Sequence, residues 1–241
     1  MRPIPRNSHS TENQILASLK KTEHPNFFSQ LEPCQFSRGE VVFEAEAPID
    51  HVYFPQTAVF SMLAAMENGE TVEVGPVGRE GLVGLRIFLG AETTTDRVIV
   101  HIGGSAMRLS SNALKTELGT YKSALSRKLL RYTQMLLAMT SRTGACNKVH
   151  SLEQQLARWL LTMDDYVDDD LPLTHELIAL TLAVRRASIS VAASMFRDAG
   201  LIDYHRGHIR LVDRKGLESV ACECYVIIKD EYDLLYADLS K

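Results

Sequence analysis

Apolar positions follow three successive rhythms along the chain. From about Pro33 to Leu109 they cluster in short β-rich runs: Val41-Val42-Phe43, Val52-Tyr53-Phe54, Ala58-Val59-Phe60, Thr71-Val72-Glu73-Val74 and Val98-Ile99-Val100-His101-Ile102. Ser37-Arg38-Gly39, Asn68-Gly69, Gly78-Arg79-Glu80-Gly81 and Gly103-Gly104 punctuate them as turns. Runs spaced by roughly ten residues predict an antiparallel sandwich or barrel. Ahead of it, Ile15, Leu16 and Leu19 predict one short amphipathic helix over Asn13 to Lys20.

The second rhythm runs from about Ala113 to Arg142, where proline is absent. Leu125, Leu129, Tyr132, Leu136 and Met139 follow alternating steps of four and three, a heptad seam that Leu118 extends backwards. Such a seam serves either a core helix of one domain or a helix that pairs with its twin across a two-fold axis; the pairing is the expectation. After Gly144 comes a second amphipathic stretch, Leu152, Leu156, Trp159, Leu160 and Met163. The acidic run of Asp164, Asp165, Asp168, Asp169 and Asp170 then reads as a solvated loop, because nothing near it has the ligand spacing of a calcium loop.

The third rhythm carries the chemistry. Thr174 is a good N-cap for a short helix containing Leu177, Ile178, Leu180 and Leu182; a sharp turn at Ala183-Val184 leads to a second helix, Arg185 to Asp198, stopped by Gly200. On that second helix Ile189, Ala192, Ala193 and Phe196 form one narrow apolar stripe, while Ala187 and Val191 point the opposite way, flanked by Ser188 and Ser190. A small, lightly polar outer face with Arg185 and Arg186 on its leading turn suits the major groove of DNA, about 12 Å wide. Leu201 to His205, Arg206-Gly207 and His208 to Val212 then predict a hairpin whose tip carries Arg206, Arg210, His205 and His208, equipped for phosphate.

Charge sharpens this picture locally. The chain's formal net charge is -4, which excludes a wholly basic nucleic-acid binder. Yet Thr174 to Arg214 holds Arg185, Arg186, Arg197, Arg206, Arg210 and Arg214 against Glu176, Asp198, Asp203 and Asp213. No nucleophile elbow, phosphate loop or zinc-protease spacing is present, so an enzyme is not expected.

The order of a β-rich domain, a long helix and the segment Leu173-Thr174-His175-Glu176-Leu177-Ile178-Ala179 through Val184-Arg185-Arg186-Ala187-Ser188-Ile189 to Ala199-Gly200-Leu201-Ile202 resembles the Crp/Fnr family of bacterial transcription regulators. The resemblance runs from about Asn26 to Val212 and is most specific in the C-terminal half. It implies an α+β chain: an N-terminal antiparallel β-roll of cyclic-nucleotide-binding type (26–112, after an N-terminal segment 1–25), a long dimerisation helix (113–145) and a C-terminal winged helix-turn-helix with a helical extension (146–241). By the same resemblance Arg185, Arg186, Ala187, Ser190 and Val191 fall where family members contact bases. With the cap, the flanking serine and the hairpin, the expected DNA-contacting set is Thr174, Arg185, Arg186, Ala187, Ser188, Ser190, Val191, Arg206 and Arg210. The expected partners are a palindromic double-stranded operator and a second copy of the chain, with RNA polymerase as a further candidate.

The sensor half departs from the family's cyclic AMP pattern. Nucleotide-binding members place a Gly-Glu pair on the ribose and, about ten residues on, an Arg-Ser or Arg-Thr pair on the cyclic phosphate. Here Gly84 is followed by Leu85, and the later segment reads Thr93-Thr94-Thr95-Asp96-Arg97. A buried phosphate beside Asp96 and without its arginine would be poorly compensated. Cyclic AMP binding is therefore not expected; the candidate pocket comprises Gly84, Leu85, Arg86, Thr94, Thr95 and Arg97, and its effector is left open. A small-molecule module that regulates a protein partner without reading DNA is the alternative, and Arg185, Arg186 and the Arg206-Gly207 wing discriminate against it.

Cysteine usage excludes other chemistries. Cys34 alone lies near the N-terminus, too few for an iron-sulfur cluster. Cys222 and Cys224 lie in a predicted helical extension, Leu217 to Leu239, and read as buried thiols in preference to a partial metal site with His205 or His208. His51, His101 and Met62 are the haem-ligand candidates, each read first as core or surface. No metal or cofactor is expected. Met1 to Ser10 lack the apolar core of a secretory signal and no run approaches a membrane span, so a cytoplasmic location without membrane contact is the expectation.

Overall fold

The computed structural model describes residues 12–67, 69–119, 123–167 and 170–239. Short helices open the chain, α1 (Gln14–Ala17) and α2 (Pro25–Ser29). Asn13 caps α1 and is itself fully buried, its Nδ2 donating to the carbonyls of Pro55 (3.0 Å) and Gly81 (2.9 Å), which fastens the segment to the β-domain.

The β-domain consists of β1 (Glu32–Phe36), β2 (Val41–Phe43), β3 (His51–Pro55), β4 (Val59–Ala65), β5 (Thr71–Val77), β6 (Asp96–Ile102) and β7 (Gly104–Ser110). They form a three-stranded sheet, β1-β7-β3, facing a four-stranded sheet, β2-β6-β4-β5, all pairs antiparallel. β1 and β7 were not predicted. Glu-Pro-Cys-Gln and Gly-Ser-Ala-Met-Arg are poor in β-branched residues, and pairing with each other and with β3 supplies what local preference lacks. Phe27, Phe54, Phe60 and Phe88 fill the space between the sheets and the flanking helices.

The predicted single long helix is two. Helix α3 (Ser111–Leu118) ends at Gly119, whose φ of 39° is costly for a residue with a Cβ, and α4 (Ala124–Val149) starts at the cap Ser123. Leu118 therefore belongs to α3 and not to the seam of α4. α4 also runs through Gly144 to Val149 before α5 (Leu152–Asp164) begins at a capping box formed by Ser151 and Gln154.

Beyond α5 lie α6 (His175–Thr181), α7 (Arg186–Asp198), β8 (Ile202–His205), β9 (His208–Leu211), α8 (Arg214–Val220) and α9 (Cys224–Leu239). The predicted extension Leu217 to Leu239 is thus broken, because Ala221 turns to an extended conformation. α9 returns antiparallel along α4: Lys128 Nζ donates to Leu239 O at 2.9 Å, Arg131 pairs with Asp238, and the Tyr232 hydroxyl meets Met139 Sδ at 3.3 Å.

That return corrects the expected pairing seam. Leu125, Leu129, Tyr132 and Met139 are at most 1% exposed within a single chain, packed in the core shared with the β-domain and α9, and Leu136 is half-buried against the same core. A residue already enclosed by its own chain cannot face a twin. Of the large apolar residues on α4, Leu130 and Leu137 are left open in its body, 51% and 63% exposed, and Val149 at its C-terminal end.

Candidate nucleic-acid interface and sensor pocket

Two helices crossing sharply form the exposed end of the C-terminal half. α6 and α7 meet at 113°, and the Thr174 hydroxyl caps α6 by accepting from Leu177 N at 3.3 Å. The intervening turn places Ala183 at φ 52°, a left-handed conformation unusual for alanine. α7 turns Ile189, Ala192, Ala193 and Phe196 inward, as its periodicity predicts. Arg185, Arg186, Ala187 and Val191 stand exposed, and Ser188 and Ser190 flank them half-buried. Val191 is 62% and Met195 54% exposed, so the outer face is open along the helix. Two contacts within the motif qualify that openness: Arg186 Nε lies 2.5 Å from Glu176 Oε1, and His175 Nδ1 lies 3.1 Å from Ser190 Oγ. Burial, followed by the neighbouring Arg186, holds the His175 pKa below its ordinary value.

The hairpin β8-β9 turns through Arg206 (φ 48°) and Gly207 (φ 83°), two successive left-handed residues that match a tight hairpin turn. Arg206, His205, His208 and Arg210 are exposed at its tip, with Arg210 Nη2 3.5 Å from Asp203. Tyr204 braces this wing against the helices, its ring edge-on to His175 at 5.0 Å and under the Arg197 guanidinium at 4.9 Å. Leu171 adds a backbone bridge to Ile209, 2.8 Å in both directions. The base of the wing overturns one expectation. Arg214 draws Asp164 and Asp165 into partly buried ion pairs, so the front of the acidic run is an anchor and not a solvated loop. Asp168 and Asp169 lie outside the described residues.

The sensor domain holds a cavity of about 300 Å³ between β-sheet and α4. Of the candidate pocket residues, Gly84, Leu85, Arg86 and Thr94 line it. Gly84 has φ 90°, and a Cβ there would stand 3.0 Å from Val52 Cγ1, so only glycine makes this corner. Thr95 and Arg97 are not on the wall. Thr95 Oγ1 accepts from Arg86 Nη2 at 2.7 Å, and Arg97 turns away to Glu44, with Nε 3.1 Å from Oε2. The remaining cationic candidate, Arg86, is itself engaged by Asp96 at 3.1 Å. Most of the lining is apolar, including Phe43, Ile49, Met62, Leu82 and Val98. Thr133, Leu136, Leu137 and Thr140 of α4 close the opposite side, so an occupant touches the long helix directly.

Between pocket and helix-turn-helix lies a buried polar joint that sequence patterning missed. Trp159 Nε1 donates to Glu73 Oε1 at 2.9 Å, the Ser61 hydroxyl donates to the other oxygen, and His101 packs edge-on against Trp159 at 5.2 Å. Burial pushes the Glu73 carboxyl up and lowers His101 to about 4, so the imidazole is neutral. His101 and Met62 are thereby core residues of the joint and the pocket. A glutamate between two strand valines is ordinarily read as the solvent face, which hid this contact. Arg38 Nη1 adds a second tie, donating to Pro172 O at 2.7 Å.

Residues 154–220 match the family profile described as the Crp-like helix-turn-helix domain, and residues 33–121 match the cyclic nucleotide-binding domain. The chain belongs to the Crp/Fnr family of transcription regulators. The likeness of the chain extends to whole-chain comparisons. The global nitrogen regulator of Synechococcus elongatus is 21% identical over 220 residues, covering 87% of this chain and 98% of that one. Among solved structures, FixK2 of Bradyrhizobium japonicum superposes with a TM-score of 0.69 at 17% identity (80% of this chain, 98% of that one). The c-di-GMP-responsive global regulator CLP of Xanthomonas campestris gives 0.64 at 14% identity (80% and 99%). Among the described residues no single helix is long and apolar enough to cross a membrane.

Proposed function

We propose that this Crp/Fnr member is a homodimeric, sequence-specific DNA-binding regulator of the cytoplasm whose sensor domain takes an effector other than cyclic AMP. The observation that carries the reading is the outer face of α7: Arg185, Arg186, Ala187 and Val191 exposed on one helix, beside a wing tipped by Arg206. Arg185 and Arg186 reach guanine edges or phosphates, Ala187 and Val191 meet thymine methyls, and Ser188 and Ser190 serve as adaptable hydrogen-bonding groups. Thr174, 3.6 Å from the position of a Cβ on Gly207, sits where cap and wing meet the backbone together with Arg206 and Arg210. RNA polymerase is a further proposed partner.

Leu130 and Leu137, seven residues apart and open on α4, support pairing through this face in place of the enclosed seam. Two chains joined there would present two reading helices about 34 Å apart, one turn of DNA. An occupant pressing on Thr133, Leu136 and Thr140 would shift α4 and with it the spacing of the reading helices. The pocket's apolar walls and its single, already paired arginine favour an effector with apolar bulk over a cyclic phosphate.

The test is selection of a randomised duplex library by the purified protein, with and without added cyclic AMP. Enrichment of a two-fold palindrome in both arms alike is the expected result. Enrichment that requires the nucleotide would refute the pocket reading, and enrichment in neither arm would refute autonomous DNA recognition.

A further inference from the structure

Outside these sites, the far end of α4 gathers a cluster of metal-binding side chains. Cys146 lies in the last turn of that helix and His150 is its C-cap; Cys222 lies in the link after α8 and Cys224 begins α9. These two segments, far apart in sequence, bring three sulfurs and one imidazole nitrogen within 4.8 Å of one another. Cys146 Sγ is 3.5 Å from Cys222 Sγ, and Cys224 Sγ is 3.7 Å from His150 Nδ1. The three cysteines are at most 4% exposed and form their own small cluster, apart from both hydrophobic cores.

We propose that Cys146, His150, Cys222 and Cys224 bind one zinc-class divalent cation in a closed tetrahedral site. With zinc–sulfur bonds of about 2.3 Å, tetrahedral geometry sets neighbouring sulfurs about 3.8 Å apart, close to the separations found. An iron-sulfur cluster is too large for donors this tightly drawn together, since its own sulfides stand between the irons and hold the protein ligands farther apart. Thiolate and imidazole ligands exclude magnesium and calcium.

His150 supplies an independent sign of ligation. Its Nδ1 faces the sulfurs while Nε2 lies 3.2 Å from the Glu223 carboxylate. A proton held on Nε2 by that carboxylate leaves the Nδ1 lone pair free for the cation, the arrangement that orients metal-binding histidines. The histidine is therefore not His205 or His208, which stand at the wing tip. Four protein donors leave no position for water, so the site is structural: it joins the end of α4 to the link between α8 and α9.

The first experiment measures metal in full-length protein purified under reducing conditions without chelator, followed by cobalt titration of the stripped protein. One equivalent of zinc per chain, and one equivalent of cobalt with thiolate charge-transfer and tetrahedral ligand-field bands, is expected. Cys222→Ser and Cys224→Ser should abolish the charge-transfer signature at one equivalent. Glu223→Gln should keep the stoichiometry but bind 10- to 100-fold more weakly in chelator competition. Absence of the thiolate–cobalt bands in reduced, folded wild-type protein would overturn the proposal whether or not the variants fold. So would a Cys146–Cys222 disulfide that forms in place of metal uptake, or equal metal retention by a variant lacking all three thiols.

Discussion

Both halves of this chain hold arginines where a phosphate could come, and they treat them oppositely. In the reader, Arg185 and Arg206 project into solvent from a helix N-terminus and a hairpin tip. In the sensor, Arg86 spends its guanidinium on Thr95 and Asp96, and Arg97 is turned to Glu44. The fold of a nucleotide sensor therefore persists while its phosphate chemistry is satisfied internally. Under the proposed function, polyanion recognition falls to the half that reads DNA.

The most disruptive way to probe this division is to uncouple the copies while leaving each half intact. Leu130→Asp places a charge on the open face of α4 and should yield a folded monomer whose operator affinity falls by about 10³-fold or more, read by sedimentation and DNA titration. Leu129→Asp, one residue away but enclosed, should instead unfold the chain. A folded dimer from Leu130→Asp would return the pairing to another surface.

Next in size is a buried acid beneath the reader. Glu80 is fully buried, accepting from Gly78 N at 2.9 Å and from the Tyr166 hydroxyl at 3.2 Å. Burial raises its pKa from 4.5 to about 7. The folded state thus holds this proton more tightly than the unfolded one, so stability declines as pH rises between 4.5 and about 7. Glu80→Gln should remove about 3 kcal/mol of that decline, seen as a melting temperature that gains on wild type as pH increases. An unchanged pH profile would show that the carboxyl is solvated.

The reader's two kinds of arginine separate by sequence dependence. Arg186→Ala should cost about 1–3 kcal/mol and relax preference at one base position, whereas Arg206→Ala should weaken all sequences alike and reduce the salt slope by about one. Equal losses on every sequence would remove Arg186 from the groove. The smallest effect is expected at the helix-turn-helix corner: Ala183→Gly relieves a left-handed alanine and should stabilise the fold by up to about 1 kcal/mol with DNA affinity unchanged, measured by denaturant titration.

What was readable in the sequence was what is local. The inward stripe of α7, the cap at Thr174 and the Arg206-Gly207 turn each depend on neighbours within a few residues, and each took the predicted form. The heptad of α4 was real, but periodicity says only that a face is covered and not by whom; α9, some hundred residues on, covers it from the same chain. The Glu73–Trp159 joint and the four donors around Cys146 were hidden for the same reason. Their members lie on separate elements, and no spacing rule links them.

The antiparallel return of α9 has a mechanical side. A reader attached by one connection can swing and twist freely; here α4 leads into it and α9 leads back out, side by side, from Cys146 opposite Cys224 to Lys128 opposite Leu239. A body held on two side-by-side struts, and tied to the sensor domain by Trp159–Glu73 and Arg38–Pro172, would be restricted mainly to a tilt about the line of those attachments. A push on α4 from the pocket would then be delivered as a tilt of defined direction rather than dissipated among many.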